Sequence, residues 1–177
     1  MFKTLGIIVA VALAGLLLFA ATRADDLRVE RKLVIAAPPD RLYPLINDLH
    51  NFNRWNPYLA KDLALKGSYE GPNAGPGTKY SWKGNKDVGT GSMEIKSNTE
   101  PKLVVMRLLF VEPFAGDNVL EFGLKPAGDG RTEVSWTMHG PQAYVSKLMG
   151  VFISMDKMIG ADFETGLANL RKVAEAP

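Results

Sequence analysis

The residues able to do chemistry in this chain are few. There is no cysteine and there are two histidines, so disulfides, thiolate metal sites and cysteine nucleophiles are excluded. Metal or triad chemistry needs a cluster, and around His50 and His139 neither a His-x-x-x-His spacing nor a serine–histidine–acid arrangement is visible. His139 falls on the polar side of an alternating segment, and His50 lies in an aromatic-rich irregular stretch. The glycine-rich stretches Gly71–Gly77 and Gly84–Gly91 do not open helices, so they read as hairpin turns and not as phosphate cradles. For acid–base work there remain Glu112, two residues beyond Phe110 on an apolar strand face, and the tyrosines. Asn118 precedes Leu120 on its face, and Arg31 lies between Val29 and Leu33. A charge carried inside must be paired; an Arg31–Glu112 pair is one expectation, and solvated strand ends are the other.

Large apolar side chains on one parity are more abundant. Tyr69, Tyr80, Trp82, Met93, Met106, Phe110, Phe122, Trp136 and Met138 share an inward face, and Phe152, Met155, Ile159 and Phe163 follow on a helical stripe. Such a set makes either solid core or a wide cavity wall in which methionine adapts to shape. The candidate ligand-contacting residues are Trp55, Tyr80, Trp82, Met106, Phe110, Glu112, Asn118, Phe122, Trp136, Phe152, Met155 and Ile159. No catalytic or metal-ligating residue is assigned, and no cofactor is expected.

The elements that must position these residues follow from periodicity. Residues 28–35 alternate as a strand. Pro38, Pro39 and Asp40 suit the first turn of a helix over AAPPDRLYPLIND, which Pro44 keeps short or kinked. The irregular stretch with Phe52, Trp55 and Tyr58 comes next. Six period-2 segments then run from Leu63 to Met138, separated by short turns, which predicts antiparallel neighbours with one apolar face. Beyond Gly140-Pro141, Leu148, Phe152, Met155, Ile159, Phe163, Leu167 and Leu170 step by three or four residues. Gly150, Gly160 and Gly166 weaken this helix, and a break near Gly150 is expected. The fold class is α+β: an antiparallel curved sheet of about seven strands wrapped around a long C-terminal helix, with a cavity between them.

Ahead of this domain, the seventeen residues Leu5–Ala21 carry no polar side chain. A helix from Thr4 to Thr22 spans about 28 Å, against a bilayer core of about 30 Å. Residues 1–24 are therefore an N-terminal membrane anchor, or a signal sequence cleaved to release a secreted domain, and residues 25–177 the domain. The short tail before the run favours a single-pass anchor with the domain facing the periplasm or the outside. Gly6, Ala10 and Ala14 repeat at helix-packing spacing, as a run rich in small residues does by chance. The chain has 21 Lys+Arg and 19 Asp+Glu; with Lys3 and Arg23 set aside, the domain is formally neutral. Without a basic stripe, nucleic acid is not an expected partner.

The stretches VIAAPPDRLYPLINDLHNFNRWNPY, GTKYSWKGN, GTGSMEI, VSWTMHGP and MDKMIGADFETGLANLRKVA resemble the START/Bet v 1-like helix-grip (SRPBCC) superfamily. Within it, the chain looks like the bacterial polyketide cyclase/dehydrase and lipid-transport group, over about residues 28–174. The resemblance implies the helix-grip fold and a hydrophobic cavity but no catalytic residue, since the superfamily includes carriers, hormone binders, cyclases and co-chaperones. The expected function is membrane-tethered binding of a hydrophobic small molecule or lipid. The alternatives are a cyclase- or dehydratase-like enzyme in the same cavity, or a protein-interaction module.

Overall fold

The computed structural model describes residues 2–142, 144–152 and 154–176. The apolar run forms helix α1, Phe2–Ala21, long and apolar enough to cross a membrane by length and composition, with most of its surface open. Strand β1, Asp26–Ile35, follows after a four-residue turn. Helix α2, Pro39–Asn47, starts at a proline and accommodates Pro44 within its nine residues. Asp48 then caps the single turn of α3, Leu49–Phe52, by accepting from the His50 and Asn51 amides. A 3-10 turn at Pro57–Lys61 leads into the strand series.

Six strands complete the sheet: β2 (Lys66–Glu70), β3 (Lys79–Lys83), β4 (Thr90–Thr99), β5 (Leu103–Glu112), β6 (Gly116–Pro126) and β7 (Thr132–Pro141). Their order is β1-β7-β6-β5-β4-β3-β2, with every neighbouring pair antiparallel. Helix α4, Tyr144–Met149, is short, and α5, Met155–Glu175, is the long helix the sheet grips. The architecture is the expected α+β helix-grip. The expected break near Gly150 also occurs: α4 and α5 are separate helices.

The core lies between the sheet's apolar face, α2, α3 and α5. At its centre, Phe52, Trp55, Phe122, Trp136 and Phe163 pack ring against ring; Trp136 lies parallel to Phe163 at 4.2 Å between centroids. Each buried aromatic removes some 150–250 Å² from water, so this cluster dominates the packing. Gly160 and Gly166 do not act as weak points. A Cβ on Gly160 would fall inside the Arg31 guanidinium, and one on Gly166 would lie 2.5 Å from Trp136 Cζ3. Both mark places where α5 comes close to its neighbours.

Candidate functional site

Packing does not fill the whole interior. A cavity of about 350 Å³ lies between the N-terminal half of α5, the 3-10 turn and the sheet from β3 to β7. Its wall is mostly apolar: Tyr80 and Trp82 from β3, Met93 from β4, Leu108 and Phe110 from β5, Met138 from β7, and Met155, Ile159 and Phe163 from α5. Period-2 alternation puts the sheet residues on one face. The i, i+4 spacing of Met155, Ile159 and Phe163 aims the helix residues back at them. The aromatics continue outwards as a ladder: Phe110, Trp82, Tyr80, Tyr69 and finally His50, whose ring stacks on Tyr69 at 3.7 Å.

Polar groups concentrate on one side. Lys61 Nζ donates to both carboxylate oxygens of Asp162 at 2.6 and 2.7 Å and stands 5.0 Å from the centre of the Tyr58 ring. Burial pushes the Tyr58 hydroxyl far above the ordinary phenol range, and the Asp162 carboxylate pushes it the same way. The site thus offers a neutral phenol and an internally compensated ion pair beside an apolar wall. That arrangement suits one polar group on an otherwise apolar guest. Among the described residues, no three His, Asp or Glu side chains converge where they could hold a metal.

Of the twelve candidate residues, Tyr80, Trp82, Phe110, Trp136, Met155 and Ile159 come together on the cavity wall. Trp55, Met106 and Phe122 are core beneath it, and the Trp55 indole N–H donates to the Leu45 carbonyl at 2.8 Å. Phe152 is 72% exposed, because the chain bends between α4 and α5 before the helical stripe begins. Asn118 packs against Gly140 at the strand ends and stays off the wall. Tyr69, expected inside, sits on the exposed edge strand β2.

Glu112 requires a larger correction. It is exposed and its carboxylate accepts from the Thr90 hydroxyl at 3.3 Å. Gly91 pairs with Phe110 while Thr90 pairs with Glu112, so Val111 is an extra residue in β5. Such a bulge reverses the face of everything beyond it, and parity counted through it gives the wrong side. The Arg31–Glu112 pair does not form. Arg31 faces α5 instead and donates to Glu164 Oε1 at 2.7 Å and Asp156 Oδ2 at 3.1 Å. His139 lies on the polar face as expected, beside Glu121 at 3.3 Å.

Sequence reasoning missed Tyr58, Lys61 and Asp162. Tyr58 and Lys61 belong to a 3-10 turn with no extended periodicity. Asp162 did carry a signal: it lies three residues after Ile159 and adjoins Phe163, so it borders the apolar stripe on its inward side.

Fold and site together define a helix-grip domain built around an apolar cavity. Residues 26–175 match the family model described as polyketide cyclase / dehydrase and lipid transport. The chain belongs to that family, within the SRPBCC superfamily. A search of curated proteins returns no match. Among solved structures, the chain is similar to a Nitrosospira multiformis protein (17% identity, TM-score 0.61, covering 85% of this chain and 97% of that one). It is also similar to major latex-like protein 151 from Panax ginseng (10%, 0.61, 86% and 100%). The Aha1 dimer from Colwellia psychrerythraea is a third (16%, 0.57, 84% and 96%). These likenesses bear on the fold alone.

Proposed function

We propose that this chain is a membrane-tethered carrier of a hydrophobic small molecule, a lipid or an isoprenoid-like compound, held between the sheet and α5. The observation that carries the reading is the cavity of about 350 Å³, walled by aromatic, aliphatic and methionine side chains. Small-molecule sites have this size, about 300–1,000 Å³, and this mix of apolar wall and few polar groups. The family's description, which names lipid transport, points the same way. Tyr80, Trp82, Phe110, Trp136, Met155 and Ile159 contact the apolar body of the guest, and Tyr58, Lys61 and Asp162 meet its polar end. Helix α1 holds the domain, residues 25–177, at the bilayer, with the domain outside the cytoplasm.

Native mass spectrometry of residues 25–177, prepared without detergent, tests the cavity. Co-purifying lipid, or uptake from an offered phospholipid and isoprenoid panel, is the expected result. Empty protein that takes up none of them contradicts the proposal.

One observation favours a second reading, a cyclase- or dehydratase-like enzyme. The Tyr58–Lys61–Asp162 cluster puts titratable groups at the cavity, within reach of a guest. Under that reading Asp162→Asn abolishes turnover of a bound polyketide while binding persists; under the carrier reading no turnover occurs in either protein.

A further inference from the structure

Helix α4 packs on the last turns of α1. The Tyr144 hydroxyl donates to the Leu17 carbonyl at 2.8 Å, and the Arg23 guanidinium donates to the Gly150 carbonyl at 2.9 Å. The Lys147 ammonium, almost fully buried, closes on the Asp25 carboxylate. Leu17 lies four residues inside Ala21, about 6 Å further along the helix axis. If α1 spans a bilayer, its Ala21–Arg23 end marks the headgroup boundary. The Tyr144 hydroxyl then bonds at the depth where tyrosines collect in membrane proteins.

The apolar side chains around this contact are uncovered. Tyr144 and Val145 on α4, Phe152 in the bend, Met158 on α5 and Phe114 in the β5–β6 turn are all exposed. They are connected. Phe114 and Met158 border the cavity, Phe152 borders an adjoining groove shared with Arg23 and Lys147, and Met155 borders both. The foot of the anchor at Arg23, the bend and the cavity rim therefore adjoin one another, with Tyr144 reaching the anchor from α4.

We propose that this surface docks into the bilayer. Tyr144, Val145, Phe152, Met158 and Phe114 enter the boundary between headgroups and acyl chains, so that the cavity opens onto lipid. The inference rests on α1 being a retained membrane anchor, and it adds an orientation that a tether alone does not give. The occupant is a lipid surface, because the apolar patch adjoins the foot of an apolar helix and the exposed Arg23 stands at the junction. A docked mouth lets an apolar guest pass between bilayer and cavity without crossing water.

The lack of native cysteine makes the test direct. Four full-length variants, Leu13→Cys, Phe114→Cys, Phe152→Cys and Asp129→Cys, are each labelled with an apolar environment-sensitive fluorophore and reconstituted into phosphatidylcholine vesicles containing spin-labelled lipid. Leu13 reports the anchor, and Asp129 lies in the β6–β7 turn, at the opposite end of β7 from α4. Docking predicts strong quenching at Leu13, at least half as much at Phe114 and Phe152, and none at Asp129. Quenching at Leu13, with Phe114 and Phe152 no more quenched than Asp129, overturns docking and leaves the anchor standing. Loss of quenching at Leu13 as well overturns both. Energy transfer between differently labelled chains at Phe152, without lipid quenching there, means a second copy covers the face and also overturns docking.

Discussion

Tyr43 buries its ring in the core, but its hydroxyl finds no partner among the described residues. A buried donor left unmade costs about 1–3 kcal/mol, whereas removing it in an isosteric side chain costs almost nothing. Tyr43→Phe is therefore expected to be neutral or up to about 1 kcal/mol stabilising in urea unfolding; a loss of 1 kcal/mol or more would mean the hydroxyl is satisfied in solution. Burial raises the phenol pKa of Tyr43, Tyr58 and Tyr80 above 10.0. The folded state then keeps protons that the unfolded state gives up. Stability is intact below pH 10 and falls as pH rises beyond the ordinary phenol value. Tyr58→Phe should flatten that alkaline decline, measured as urea midpoints across the phenol range; an unchanged slope would show that Tyr58 titrates normally. At this scale the sequence was least informative. Tyr58, Lys61 and Asp162 meet across about a hundred residues of chain, and no local pattern records a pairing between a 3-10 turn and a helix flank.

Strands and helices were largely legible, because burying one face imposes a period that can be counted. β3, β6 and β7 put Tyr80, Trp82, Phe122 and Trp136 inwards, on the parity the sequence shows. The count failed where the backbone adds a residue: Val111 makes the β5 bulge, and Glu112 turns to the surface. It also failed on β2, whose five residues are all exposed. An edge strand has little to pack against, so its alternation carries no burial. The glycines of α5 were misjudged for a related reason, since propensity describes an isolated helix and Gly160 is fixed by its neighbour. This gives a prediction of sign. Gly→Ala inside a helix ordinarily stabilises by about 1 kcal/mol, but here the methyl must displace the Arg31 guanidinium from Asp156 and Glu164. Gly160→Ala should lower the Tm; a higher Tm would show that the Arg31 contact yields freely. The Arg31 guanidinium also holds the Asp156 carboxyl below 3.8. The support from this pair is present at neutral pH and is lost as pH falls through that depressed value.

The whole molecule joins a hollow, formally neutral domain to an apolar helix. Charge does not bring the domain to a membrane, since the residues beyond Arg23 balance. Under the proposed function the helix and the exposed apolar residues beside it do so, and the cavity then lies beside the store of apolar guests. If the space between sheet and α5 is a binding site and not a packing flaw, filling it must remove the guest. Ile159→Trp tests it most directly. The larger ring enters the cavity from α5, where Ile159 lines the wall. Measured by native mass spectrometry after exposure to lipid vesicles, the wild-type domain should carry bound lipid, and Ile159→Trp should carry less than a tenth as much with an equal or higher Tm. Equal lipid loading in both proteins, with the variant fully folded, would contradict the account.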